Sequence, residues 1–145
     1  MNTLANRNFS KMNGQPPKKK STVAIVDDEP ALRLLLNEYF HKHYTVITLS
    51  NGKECLEFVY RAEPEILVID LNMPDMTGLE VIEVIRKKRV FDRMAIVVLS
   101  GEESSLERIK CLEAGADDFV VKPFNPRELH ARINSIRRRI SLQPE

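Results

Sequence analysis

The sequence predicts an α/β fold, a five-stranded parallel sheet with helices on both faces. Three observations carry this reading. Short runs rich in Val and Ile recur five times, segments with helical spacing lie between them, and a polar or charged residue that could do chemistry follows almost every run. Strand and helix in strict alternation imply βαβ units and hence a parallel sheet. Runs without polar alternation suit strands covered on both sides.

The first run is Val23–Val26. Pro30 then suits a first helical turn, where its missing N–H is no loss. Leu32, Leu35, Leu36, Tyr39 and Phe40 make the apolar stripe of that helix. The second run is Thr45–Leu49, followed by a helical row of Cys55, Leu56, Val59 and Tyr60. The third, Ile66–Ile69, leads into "DLNMPDMTG" and a helix striped by Leu79, Ile82 and Ile85. The fourth, Ala95–Leu99, precedes a stripe of Leu106, Ile109 and Leu112, expected to face the core. The fifth, Phe119–Val121, precedes the most regular helix, with Leu129, Ile133, Ile136 and Ile140 at steps of four, three and four. Asn125 is its expected N-cap, before Pro126 and with Glu128 at the third helical position.

With 145 residues, 43% hydrophobic and 30% charged, the chain suits one globular domain. No apolar run is long enough to span a bilayer. The first residues lack the apolar core of a secretory signal, so the default expectation is a cytoplasmic protein with no membrane partner. The two cysteines, Cys55 and Cys111, form no CxxC or Cys/His cluster, so zinc is not expected and reduced, packed thiols are. Residues 1–20 contain five basic residues and no acid, with Gln15-Pro16-Pro17 and few large apolar residues. They read as a disordered basic tail. The folded domain is expected over 21–141, with 142–145 a C-terminal tail or the start of a linker. Because the overall charge is +1, the part after the tail is net acidic, which argues against a nucleic-acid footprint there.

The strand ends carry the chemistry. Asp27 and Asp28 follow the first run, Asp70 the third, Ser100 the fourth, and Lys122 with Pro123 the fifth. Open parallel sheets bind ligands beyond the carboxyl ends of their strands at the topological switch point. If the strand order is 2-1-3-4-5, the first and third strands are neighbours there, and Asp27, Asp28 and Asp70 would converge. Three carboxylates so placed repel one another, by about 4 kcal/mol per pair at ~4 Å and an effective dielectric of 20. They must hold protons or bind a cation. Few protein oxygens and room for water favour Mg²⁺, with Mn²⁺ able to replace it. Lys122 then offers a positive partner to a phosphoryl group, Ser100 a hydroxyl, and Asp70 a nucleophilic carboxylate. His41, His43 and His130 fit no motif and read as surface or packing residues. Asp75, the second acid of the loop after the third run, reads as a helix N-terminal or solvated acid.

The motifs "VDDEP", "VIDLNMPDMTGLEVI", "VVLSG" and "GADDFVVKPF" together resemble the receiver domain of two-component response regulators, over roughly Thr22 to Ile140. Each is weak alone; their order, each at its own strand end, makes the likeness specific. The resemblance implies a flavodoxin-like (βα)5 three-layer sandwich. It implies that Asp70 accepts a phosphoryl group from a sensor histidine kinase or phosphotransfer protein, so that the domain signals and is not an enzyme beyond its own phosphorylation and slow dephosphorylation. Asp28 and Asp70 would bind Mg²⁺ by side chain, Asn72 by its carbonyl and Asp27 through water. Lys122 would contact the phosphoryl group, with a cis bond to Pro123. Ser100 and Phe119 would be the switch pair, and Gly78 a backbone position beside the acidic loop. Asn72 and Glu102 occupy positions that modulate phosphoryl loss. Ser100 stands where Thr is frequent and keeps the hydroxyl; Gly101 stands where Ala is frequent and leaves its loop looser.

Other classes fit less well. A flavodoxin needs a phosphate-cradling loop after its first strand, where this chain has Asp27-Asp28-Glu29-Pro30, which repels phosphate. A phosphatase with an Asp nucleophile needs a second acid at position 72, where Asn72 stands. A pseudo-receiver, an unphosphorylated protein-binding scaffold, is the third alternative and would not need the intact acids and lysine. The tract "GADDFVVKPFNPRELHARINSIRRR" resembles the OmpR/PhoB class in particular. In that class the fourth helix, fifth strand and fifth helix form a two-fold dimer, and Arg108, Asp118, Glu128 and Arg132 match its charged positions. A solvated charged face is the alternative for these four. Receivers of that class precede a winged-helix DNA-binding domain, which these 145 residues lack. No DNA binding is expected of this chain alone, whether it is a single-domain receiver or the receiver fragment of a transcription factor.

Overall fold

The computed structural model describes residues 19–144. The expected tail, apart from Lys19 and Lys20, lies outside the described residues. Five strands alternate with five α-helices: β1 (Thr22–Val26), α1 (Pro30–Phe40), β2 (Thr45–Leu49), α2 (Gly52–Ala62), β3 (Ile66–Asp70), α3 (Gly78–Arg86), β4 (Ala95–Ser100), α4 (Ser105–Ala114), β5 (Asp118–Val121) and α5 (Pro126–Ser141). A short 3-10 turn, Arg89–Phe91, lies before β4. All pairings are parallel, in the order β2-β1-β3-β4-β5. The sheet and its order are those read from the sequence.

Alternate residues of each strand point to opposite faces. Ala24, Val26, Leu67, Ile69, Ile96 and Val98 join one core, beneath α2, α3 and α4. Val23, Ile25, Ile66, Val68, Val97 and Leu99 join the other, beneath α1 and α5. The result is a three-layer sandwich. Leu129, Ile133 and Ile136 of α5 are buried, as their spacing predicts, and Ile140 packs against their cluster. Both cysteines are buried and free, and burial pushes the Cys55 thiol up to about 12.

The structure corrects three expectations. β2 is an edge strand and is only partly covered, because no strand pairs with its outer side. On α1, Leu35 is exposed; Leu36 and Phe40 carry the packing. On α4, the stripe Leu106, Ile109 and Leu112 faces solvent, while Cys111 on the opposite side is buried. A period locates an apolar stripe on a helix but not the direction in which it points.

Helix ends follow the chemistry of their residues. Asn51, Thr77, Ser104 and Asn125 cap α2, α3, α4 and α5 with side-chain oxygens, and Thr77 forms a full capping box with Glu80. α4 ends at Gly115, whose φ of 119° is in the left-handed region that favours glycine.

Candidate functional site

The sheet order makes β1 and β3 neighbours, with Val26 beside Ile69, so the residues that follow each strand meet. Asp70 is 5% exposed and Asp27 is fully buried, whereas Asp28 is exposed. Carboxylate oxygens of the three lie within 4.8 Å of one another. Among the described residues this is the one cluster of acids, histidines or cysteines close enough to share a cation. The backbone secures it: Asp27 N–H donates to Leu49 O at 3.1 Å, and Arg33 donates to the Asp27 carbonyl at 2.6 Å. One Asp27 carboxylate oxygen accepts from Glu29 N–H.

Lys122 reaches the cluster from the end of β5. Its ammonium lies 2.8 Å from Asp27 and 3.3 Å from Asp70. One lysine does not neutralise three acids. Burial and the Asp27 charge push the Asp70 carboxyl up to about 6, with Lys122 acting against them and Asp28 adding to them. Burial alone would lower Lys122; its bonds and charges with Asp27 and Asp70 override that and hold it above the usual lysine range. The peptide bond from Lys122 to Pro123 is cis. Lys122 N–H donates to Ser100 O at 2.7 Å, so the ends of β4 and β5 are joined beside the acids.

Ser100 is 1% exposed, and its hydroxyl exchanges hydrogen bonds with the backbone of Glu102, donating to O and accepting from N–H. Phe119 is buried, and the Arg108 guanidinium lies 5.4 Å over its ring. Asn72 is exposed in the loop after β3. At Gly78 a Cβ would come within 2.6 Å of the Asp70 carbonyl oxygen, so only glycine allows α3 to start against the backbone of Asp70. A Cβ at Gly101 would meet no heavy atom within 4 Å. On the outer face, Arg132 pairs with Asp118 at 3.1 Å and with Glu128 at 3.8 Å, while Arg108 pairs with Glu103 at 3.9 Å.

Asp75 has a structural role that sequence reasoning missed. Its two carboxylate oxygens accept from Gly52 and Lys53 N–H at 3.1 and 3.0 Å. It therefore caps α2, not the helix that follows it, and straps the Asp70 loop to the neighbouring element. Its partners lie 22 and 23 residues earlier, so no local pattern signals the bond.

Fold and site define a class: a flavodoxin-like α/β domain with an acidic cluster and a lysine at the switch point of the sheet. The chain belongs to the response regulator receiver domain family, whose profile matches residues 23–134. A probable transcriptional regulator, ycf27, of Guillardia theta is 40% identical over 121 residues, covering 83% of this chain and 46% of that protein. The alkaline phosphatase synthesis transcriptional regulatory protein PhoP of Bacillus subtilis is 35% identical over 118 residues, covering 81% and 48%. The chain thus spans about half the length of the curated relatives it matches. Among solved structures, the chemotaxis response regulator CheY4 of Vibrio cholerae superposes with a TM-score of 0.76 at 28% identity, covering 81% of this chain and 99% of that one. The BeF3-activated DrrB receiver domain gives 0.73 at 29% identity, covering 81% and 97%.

Proposed function

We propose that Asp70 is the phosphoacceptor of this receiver domain and takes its phosphoryl group from a phosphohistidine of a sensor kinase or phosphotransfer protein. The observation that carries this is the convergence of Asp27, Asp28 and Asp70 within 4.8 Å, with Lys122 at 3.3 Å from Asp70. In the transfer, an Asp70 carboxylate oxygen forms the new O–P bond as the N–P bond to histidine breaks. Lys122 offsets charge on the phosphoryl oxygens, and the Ser100 hydroxyl turns from Glu102 to bond one of them.

The donor set fits a hard divalent cation. It is all oxygen, carries more negative charge than Lys122 balances, and opens to water at Asp28. Asp28 and Asp70 would hold Mg²⁺ by side chain, Asn72 by its carbonyl and Asp27 through water, and Mn²⁺ would substitute. When bound, the cation neutralises the acids and so lowers the repulsion an incoming phosphoryl group meets.

The readout assigned to this site is the surface of α4, β5 and α5. Phe119 would link the two; on the side of the face, its ring already lies under Arg108, one of the four candidate residues. The same face exposes Leu106, Ile109 and Leu112, apolar area that a second copy would cover. Arg132, Asp118 and Glu128 would set its register by exchanging their internal ion pairs for pairs across a two-fold axis.

The test is intact mass after incubation with a small phosphodonor, with and without Mg²⁺. One added phosphoryl group is expected with Mg²⁺, and none on Asp70→Asn. Equal labelling of that variant would place the acceptor at another residue, and no labelling of the parent protein would favour the pseudo-receiver reading. Molecular mass in solution before and after phosphorylation tests the dimer separately.

A further inference from the structure

We infer that the end of the molecule opposite the acidic cluster is an electrostatic docking surface for an anionic lipid bilayer. In a parallel sheet, every connection that enters a strand lies at one edge, and every connection that leaves a strand lies at the other. The leaving edge carries Asp27, Asp28 and Glu29, then Asp70 and Asp75, then Glu102 and Glu103, against Arg33, Lys53, Lys122 and Arg127. The entering edge is the reverse. Lys19 and Lys20 precede β1, and Lys42 precedes β2. Lys87, Lys88, Arg89 and Arg93 precede β4. Arg137, Arg138 and Arg139 end α5 beside them. The acids at this edge are Glu38, Glu63, Glu65, Asp92, Glu113, Asp117 and Asp118, of which Asp117 is already held by Arg86 at 3.3 Å and Asp118 by Arg132 at 3.1 Å, so the cations still outnumber them.

Hydrogen bonds tie several parts of this basic edge together. Arg93 donates to Ile140 O and Gln143 O, joining the connection before β4 to the end of α5. Arg137 donates to Ser21 Oγ at 2.9 Å, joining α5 to the start of β1, and Lys20 reaches the His41 carbonyl. Residues 1–18, which add Arg7, Lys11 and Lys18 without an acid, are covalently attached here.

A bilayer fits this surface better than a nucleic acid. Val90 and Leu142 stand 66% and 84% exposed among the cations, where a headgroup layer would take the charges and the acyl boundary the apolar tips. The exposed aromatic of this region, Tyr60, is already stacked on Phe91 and lies under the Lys88 ammonium, so it is a poor platform for a base. Apart from the end of α5, the described part of this edge is made of short connections. The expectation of no membrane partner rested on the absence of a spanning segment, and no helix among the described residues is long and apolar enough to cross a membrane. Surface attachment does not need one. Docked by this edge, the domain would present Asp70 away from the lipid.

The test is sedimentation of the full chain with vesicles of phosphatidylcholine alone or with about a third phosphatidylglycerol. Binding is expected only to the anionic vesicles, falling at least tenfold when salt shortens the screening length. Lys88→Glu with Arg138→Glu should lower the partition coefficient by about tenfold or more. Val90→Ser with Leu142→Ser should weaken binding at every salt concentration. The unfolding midpoints of these surface variants report that the fold is kept. No binding to anionic vesicles at low salt, equal binding to neutral ones, or tighter binding to duplex DNA than to vesicles would overturn the inference.

Discussion

Asp70 ends a strand that is buried from its first residue to its last, and its carboxylate faces Asp27, Asp28 and a single lysine. Burial first, and the Asp27 charge second, raise its pKa to about 6. The sign of the linkage follows. A folded-state pKa above the unfolded value of 3.8 means that the folded protein prefers the protonated acid, so ionised Asp70 opposes folding above about pH 6. Asp70→Asn is therefore expected to be more stable than the parent at pH 7.5 without metal. The gain should not exceed about 3 kcal/mol, because the pocket opens to water. Urea unfolding across pH should show the gap close as pH falls from 6 towards 4; a gap that widens there would reject the account. Asp70, Lys122 and the first-strand acids were legible because each follows an apolar run. The role of Asp75 was not, because its partners belong to an element that only folding brings near.

Helix α4 shows how an element can be read correctly and oriented wrongly. Its existence and apolar stripe are present in the sequence, but Leu106, Ile109 and Leu112 face solvent. Cys111 takes the buried side. Ile109→Ser is thus expected to change monomer stability by no more than about 0.5 kcal/mol, the range of ordinary surface changes. A loss of 2 kcal/mol or more in denaturant titration would mean that the stripe is core after all. What holds the end of α4 is polar. Arg86, from the last turn of α3, donates to the carbonyls of Gly115, Phe91 and Met94 and pairs with Asp117. Asp117 in turn accepts from Ile96 N–H at 2.8 Å. Arg86→Ala removes one donor from each of three carbonyls and from a half-buried acid, so a destabilisation of about 2–4 kcal/mol is expected. Arg86→Lys should recover only part of it, since an ammonium cannot span the same partners. Denaturation of the two variants side by side tests this. A composition-based reading could not single out Arg86 from the "RKKR" run in which it stands.

At the scale of the molecule, the sheet divides the interior into two apolar clusters that share its five strands. Ile82 belongs to one and Leu129 to the other, and both are fully buried. Each truncation to Ala should lower stability by about 2–5 kcal/mol. Because the sheet separates the sites, the double variant should show their sum within about 0.5 kcal/mol, in one cooperative transition. Two transitions in urea, followed by far-ultraviolet dichroism and by tyrosine fluorescence, would show that the layers unfold separately. The layer count could be read from the linear order of residues, and the strand order, with the meeting of Asp27, Asp28, Asp70 and Lys122, from that order together with the receiver resemblance. Parallel βαβ units leave few topologies, and the switch-point rule then places strand ends together. Which side of α4 faces water, what Asp75 and Arg86 hold, and the division of charge between the two sheet edges could not be read there. Those features depend on how far apart elements pack, on groups distant in sequence that become neighbours, and on a sum over connections that share an edge only once the sheet has formed.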